Sequence, residues 1–92
     1  MNTIAQARVG SITAQYDSEA RALYVKLQEA PVASSVECEG DFVVDVDARS
    51  VAVGVEALFL PITRSQLVQL AARYNFSDQL DSVWAAVQGV QP

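Results

Sequence analysis

The acidic side chains are the ionisable groups whose spacing could support chemistry. Asp45, Asp47 and Glu56 fall at positions one, three and twelve of a calcium-binding loop, where carboxylate oxygens would ligate the ion. The pattern fails at its middle. Arg49 puts a cation at position five, and Ser50 replaces the glycine that the sharp turn needs. Asp41 and Glu56 could face each other across a hairpin, as the paired carboxylates of a hydrolase do. Such pairs sit in clefts, and a 92-residue chain has little room for one. Histidine is absent, so no Ser/His or Cys/His nucleophile can be assembled. Cys38 stands alone, with no nearby cation or second thiol to favour its thiolate and no partner for an internal disulfide. The four glycines are scattered singly, so no phosphate-cradling loop is present. The sequence predicts no catalytic residue, no metal ligand and no cofactor.

The elements that carry these residues follow from periodicity. Met1 to Gly10 has no clean period and reads as a mobile tail or a short edge strand. From Ser11 the pattern alternates, with Ile12, Ala14 and Tyr16 on one side, as in a half-buried strand. Asp17 and Glu19 then sit in a turn, Asp17 holding backbone amides and Glu19 pairing with Arg21 or Lys26. Ala22 to Gln28 is the second strand of that hairpin, with Leu23, Val25 and Leu27 inward and Tyr24 and Lys26 outward. After Pro31 come a weaker strand, Val32 to Glu39, and two strong ones, Phe42 to Asp47 and Val51 to Leu60. If Asp47 pairs with Ser50, then Phe42, Val44 and Val46 lie beside Val55, Val53 and Val51 on an apolar core face. The other face carries Val43, Asp45, Ala52, Gly54, Glu56 and Leu58, and is only half polar.

Pro61 ends the sheet region, and Thr63 with Gln66 forms a capping box for a helix bearing Leu67, Leu70 and Ala71. Asn75 is placed to stop that helix in the left-handed conformation, with Phe76 folding back toward Leu70. Ser77 is the expected cap of a second helix, whose stripe is Leu80, Val83, Trp84 and Val87 and whose end is Gly89. Trp84 is the expected anchor of the helical hairpin on the sheet. The predicted fold is α+β: an antiparallel β-meander of four to five strands over residues 11–60, then a two-helix segment over 61–89 packed on it. Residues 1–92 are expected to form one domain.

Composition narrows the partners. The chain is 51% hydrophobic and 18% charged, more apolar surface than one small core can hide, which favours a subunit contact. The net charge of −5 disfavours nucleic acid and anionic membrane surfaces. No secretory n-region, h-region or membrane span is evident, so a cytoplasmic location is expected. Leu70 to Ser77 has a passing likeness to a helix-turn-helix, but its second helix carries Asp78 and Asp81 and no cation.

Tyr16 to Leu27 (Y-D-S-E-A-R-A-L-Y-V-K-L) resembles the opening signature of domain of unknown function 2283, a family of small bacterial and phage proteins. Val44 to Asp47 and Val53 to Leu58 are similar to its V-D-x-D and V-G-[IV]-E-x-L segments, so the likeness runs from about Ile12 to Leu60. Arg49-Ser50 stands where the family usually has a turn glycine. The resemblance implies a fold, and it adds some weight to an interaction role, because some members look like the small partner encoded beside a toxin-like protein. The leading expectation is a non-enzymatic protein-interaction protein, an antitoxin-like or phage regulatory partner, acting as a homodimer through Tyr24, Val43, Leu58 and Leu60. Asp17, Glu19, Asp45 and Asp47 are expected to be structural turn residues. The alternatives are a DNA-binding autoregulator using the C-terminal helices and a small carboxylate-dependent hydrolase. Arg64 and Arg73 on one exposed face would favour the former.

Overall fold

The computed structural model describes residues 4–92. Six antiparallel strands form one sheet: β1 (Ile4–Val9), β2 (Ile12–Asp17), β3 (Ala22–Lys26), β4 (Ser34–Cys38), β5 (Phe42–Val46) and β6 (Ala52–Ala57). Two helices follow, α1 (Arg64–Tyr74) and α2 (Leu80–Val90), with a short 3-10 turn at Ser77–Gln79 between them. The α+β class stands, but the strand count is six rather than four to five. The extra strand is β1, where Ala5, Ala7 and Val9 turn toward the core. Small inward residues leave almost no hydrophobic period for a sequence to display. Residues 1–3 of the expected tail lie outside the described residues.

The strand order is β1-β2-β3-β6-β5-β4, so two three-stranded meanders join along β3 and β6 instead of forming a single one. Burial explains the order. Ala52, Val53, Gly54 and Val55 are all buried, which suits a central strand, whereas Ser34, Ser35, Val36 and Glu37 of β4 are exposed, which suits an edge.

The β5–β6 register also departs from expectation. Val44 lies opposite Val55 and Phe42 opposite Ala57. Asp47 faces Val51 across the turn instead of Ser50, its N–H donating to the Val51 carbonyl at 2.9 Å, and a bulge at Asp45/Val46 adds a second residue of shift. Val46 consequently meets Ala52, and Val53 is buried outside the main core cluster.

The core lies between the sheet and the helices, with Ile12, Leu23, Val25, Val44 and Val55 meeting Leu67, Val83 and Val87. Thr63 and Gln66 close a reciprocal capping box at the start of α1, and Asn75 ends it at φ 62°. Phe76 is buried, its N–H bonded to the Ala71 carbonyl. Ser77 does not cap α2: it opens the 3-10 turn, and Gln79 precedes α2 without a side-chain cap. Gly89 lies inside α2 instead of ending it, and its missing side chain lets the helix approach β1, since a Cβ there would stand 2.9 Å from the Ala7 Cβ. Gln91 ties the far end down, its Oε1 accepting from Ile62 N–H (2.6 Å) and its Nε2 donating to Ile62 O (3.1 Å).

Candidate functional site

Both helices lie on one side of the sheet, so the other side is open. Strand alternation and register place its residues in rows. One row runs Gln6, Gln15, Tyr24, Glu56, Val43, Glu37 from β1 across to β4. The row beside it runs Arg8, Thr13, Lys26, Gly54, Asp45, Ser35. Toward the other end, Ile4, Asp17 and Ala22 stand in line, with Leu58 just beyond the end of β6.

Tyr24 leans across Gly54 of the neighbouring strand. A Cβ at residue 54 would collide with the Tyr24 hydroxyl and the ring carbon that bears it, so only glycine lets the ring lie there. The reach brings Tyr24 Oη to Asp45 Oδ2, to which it donates at 3.0 Å. Ser35 Oγ donates to the other carboxylate oxygen at 2.6 Å. One carboxylate thus ties β3, β5 and β4 together. Burial of the phenol, its hydrogen bond to Asp45 and the negative charges of Asp45 and Glu56 push the Tyr24 pKa up to about 12. At neutral pH the phenol stays protonated and donates to Asp45, so the cluster braces the sheet.

Asp45 therefore sits in the body of β5, not in a turn. Asp17 and Asp47 do hold turns: Asp17 Oδ1 accepts from Glu19 and Ala20 N–H (3.0 and 3.2 Å), and Asp47 Oδ1 from Arg49 and Val51 N–H (2.8 and 3.0 Å). Glu19 is exposed and contributes its backbone amide, while Lys26 pairs with Glu29 at 2.9 Å. Among the described residues, no three acidic, cysteine or histidine side chains cluster as a metal site would need. Cys38, half-buried, lies 3.3 Å from Tyr74 Oη, and that contact with burial raises the Tyr74 pKa. A cleft of about 240 Å³ beside Cys38 runs between the β4–β5 turn and α1, lined by Phe42, Gln66, Gln69, Leu70 and Arg73.

The four expected interface residues fall in two places. Tyr24 and Val43 are half-buried and flank Glu56 in the same row. Leu58, 53% exposed, and the half-buried Leu60 line a shallow cleft with Tyr16, Arg21 and Phe59. Phe59 is 63% exposed and was not singled out by sequence reasoning, although it stands inside the apolar run Leu58-Phe59-Leu60. Ile4, 55% exposed, lies at the same end of the open face. Trp84 is half-buried and packs against the core, beside the buried stripe of Val83, Ala86, Val87 and Val90. Arg64 is bound to Asp81 of α2, whereas Arg73 lines the cleft beside Cys38. Among the described residues, no helix is long and apolar enough to cross a membrane.

These features define an α+β protein whose six-stranded antiparallel sheet is covered by two helices on one side and open on the other. Residues 14–59, from β2 to just past β6, match the family described as protein of unknown function DUF2283, and the chain belongs to that family. Comparison with curated proteins found no match, and comparison with solved structures found none.

Proposed function

We propose that this protein is a non-enzymatic, cytoplasmic interaction protein that acts by binding another protein and associates with itself, as an antitoxin-like or phage regulatory partner does. The observation that carries this reading is the grouping of exposed apolar side chains. Ile4, Leu58 and Phe59 are half of the six large hydrophobic residues exposed among the described ones: Leu58 and Phe59 adjoin just past β6 in a cleft with Tyr16 and Leu60, and Ile4 stands at the same end of the sheet, on β1. Monomeric soluble proteins tolerate scattered exposed hydrophobics, but grouped ones mark contact sites. Tyr24 and Val43 extend the apolar surface inward along the open sheet face.

A DNA-binding reading draws no comparable support. Arg64 is engaged by Asp81, and Arg73 lies about half a turn around α1 from it, so the two do not share a face. A carboxylate hydrolase draws none either, since Glu56 stands between Tyr24 and Val43 rather than opposite a second acid. The test is Leu58→Asp. Sedimentation of the wild type should show a dimer at tens of micromolar, and the variant should release monomers or lose a captured protein while circular dichroism stays unchanged. A variant that keeps both self-association and protein capture would place the contact elsewhere.

A further inference from the structure

The open face is electrically lopsided. Strands β4, β5 and β6 present Glu37, Asp45 and Glu56 on it and no cation, while on the β1–β3 half Arg8 and Lys26 balance Asp17 and Glu29, the latter reaching Lys26 from the loop after β3. Part of this charge is engaged locally: Asp45 by Tyr24 and Ser35, Lys26 by Glu29, Asp17 by turn amides, and Arg8 Nε by the Gly10 carbonyl. The imbalance between the halves remains, and it constrains how two such faces can meet.

Two sheets stacked face to face pack about 10 Å apart, with strands within about 30° of each other. A two-fold axis lying between them runs either across the strands or along them. Across the strands, each strand meets its own copy, and the acidic half meets the acidic half. Along the strands, β1–β3 of one copy lies over β4–β6 of the other, and each acidic half faces a balanced half instead of its own copy. Six strands about 4.8 Å apart and five residues long give a footprint of about 500 Å² per copy, so two copies reach the roughly 1,000 Å² of a specific contact.

We propose that the open face joins two copies of this chain as a β-sandwich whose two-fold axis runs along the strands. The proposal rests on the interaction reading above and adds its partner, surface and symmetry. Gln6 and Glu37 occupy opposite ends of one row, so this axis sets Gln6 of one copy against Glu37 of the other, twice per dimer. Tyr24 and Glu56 of one copy then lie over Glu56 and Tyr24 of the second.

The test is a charge series at two exposed edge-strand positions, Gln6 and Glu37, read by sedimentation velocity at low ionic strength. Gln6→Lys should tighten the dimer by about threefold or more, and Gln6→Glu should loosen it by a similar factor. Combining Gln6→Glu with Glu37→Lys should restore wild-type affinity. Circular dichroism monitors the fold, and a gain of affinity in Gln6→Lys cannot arise from unfolding. A dimer that is weakened by Gln6→Lys has the other axis, and one indifferent to the whole series uses another surface; either result overturns the proposal. A wild type that stays monomeric to about 100 μM overturns it too. If that monomer still captures another protein through Leu58, the interaction reading survives alone.

Discussion

Asp47 and Val51 clasp each other across the β5–β6 turn: the Asp47 N–H donates to the Val51 carbonyl at 2.9 Å, and Asp47 Oδ1 accepts from the Val51 N–H at 3.0 Å. Between them Ser50 is forced to φ 64°, a left-handed conformation that its Cβ disfavours. Ser50→Gly removes that conflict at an exposed site where the side chain has no packing to lose. The substitution should raise stability by about 0.5–1 kcal/mol, after allowing for the greater freedom of glycine in the unfolded chain. Urea unfolding of the two proteins measures the difference. An unchanged or lowered midpoint would mean that the serine side chain earns its place in the turn.

Tyr24 gives the fold a specific response to alkali. Its pKa is pushed up to about 12 in the folded protein, against about 10 when unfolded. The folded state therefore holds this proton more tightly. The stability it contributes is complete below pH 10 and is lost as pH rises through 12. Tyr24→Phe should lose the hydrogen bond at neutral pH and, with it, this part of the alkaline decline. Melting temperatures of the two proteins from pH 8 to 12 should converge as pH rises. Curves that stay parallel throughout would show that the phenol and Asp45 are not coupled.

Trp84 reports how firmly the helices hold the sheet. It is half-buried against the core, so replacing it with alanine should cost about 2 kcal/mol, less than the 3–5 kcal/mol of a fully buried aromatic. Chemical denaturation followed by circular dichroism gives the value. A loss below about 0.5 kcal/mol would free Trp84 from any structural duty and make it a contact residue for a partner.

Local signals made both ends of α1 legible, whereas the expected ends of α2, Ser77 and Gly89, were misplaced. Thr63 and Gln66 are three residues apart and meet within one turn, and Asn75 stops α1 where the apolar spacing lapses. The sheet was legible only in pieces. Valine-rich β5 and β6 announced themselves, but the pairing of β3 with β6 joins residues such as Val25 and Val55 that no turn connects. The register slipped because a left-handed serine looks like any other serine in a sequence. The Tyr24–Asp45–Ser35 cluster was invisible for the same reason as the strand order, since its members come from three strands. Phe59 escaped notice because strand alternation was extended to Leu60, while the structure ends β6 at Ala57.

Gly54 beneath the Tyr24 ring imposes an order on how the lineage can change. While the ring keeps its pose there is no room for a Cβ at 54, so any larger residue there must push the Tyr24 ring aside and break its bond to Asp45. Once Tyr24 shrinks, the vacancy over β6 rewards a side chain at 54, and a tyrosine restored at 24 then no longer lies across β6 to reach Asp45. The two positions behave as a ratchet: the strand β3 residue must move first in one direction and last in the other. Ancestral and descendant chains should accordingly carry tyrosine with glycine, or a small residue with a larger one, but not tyrosine with both a Cβ at 54 and an intact brace to Asp45.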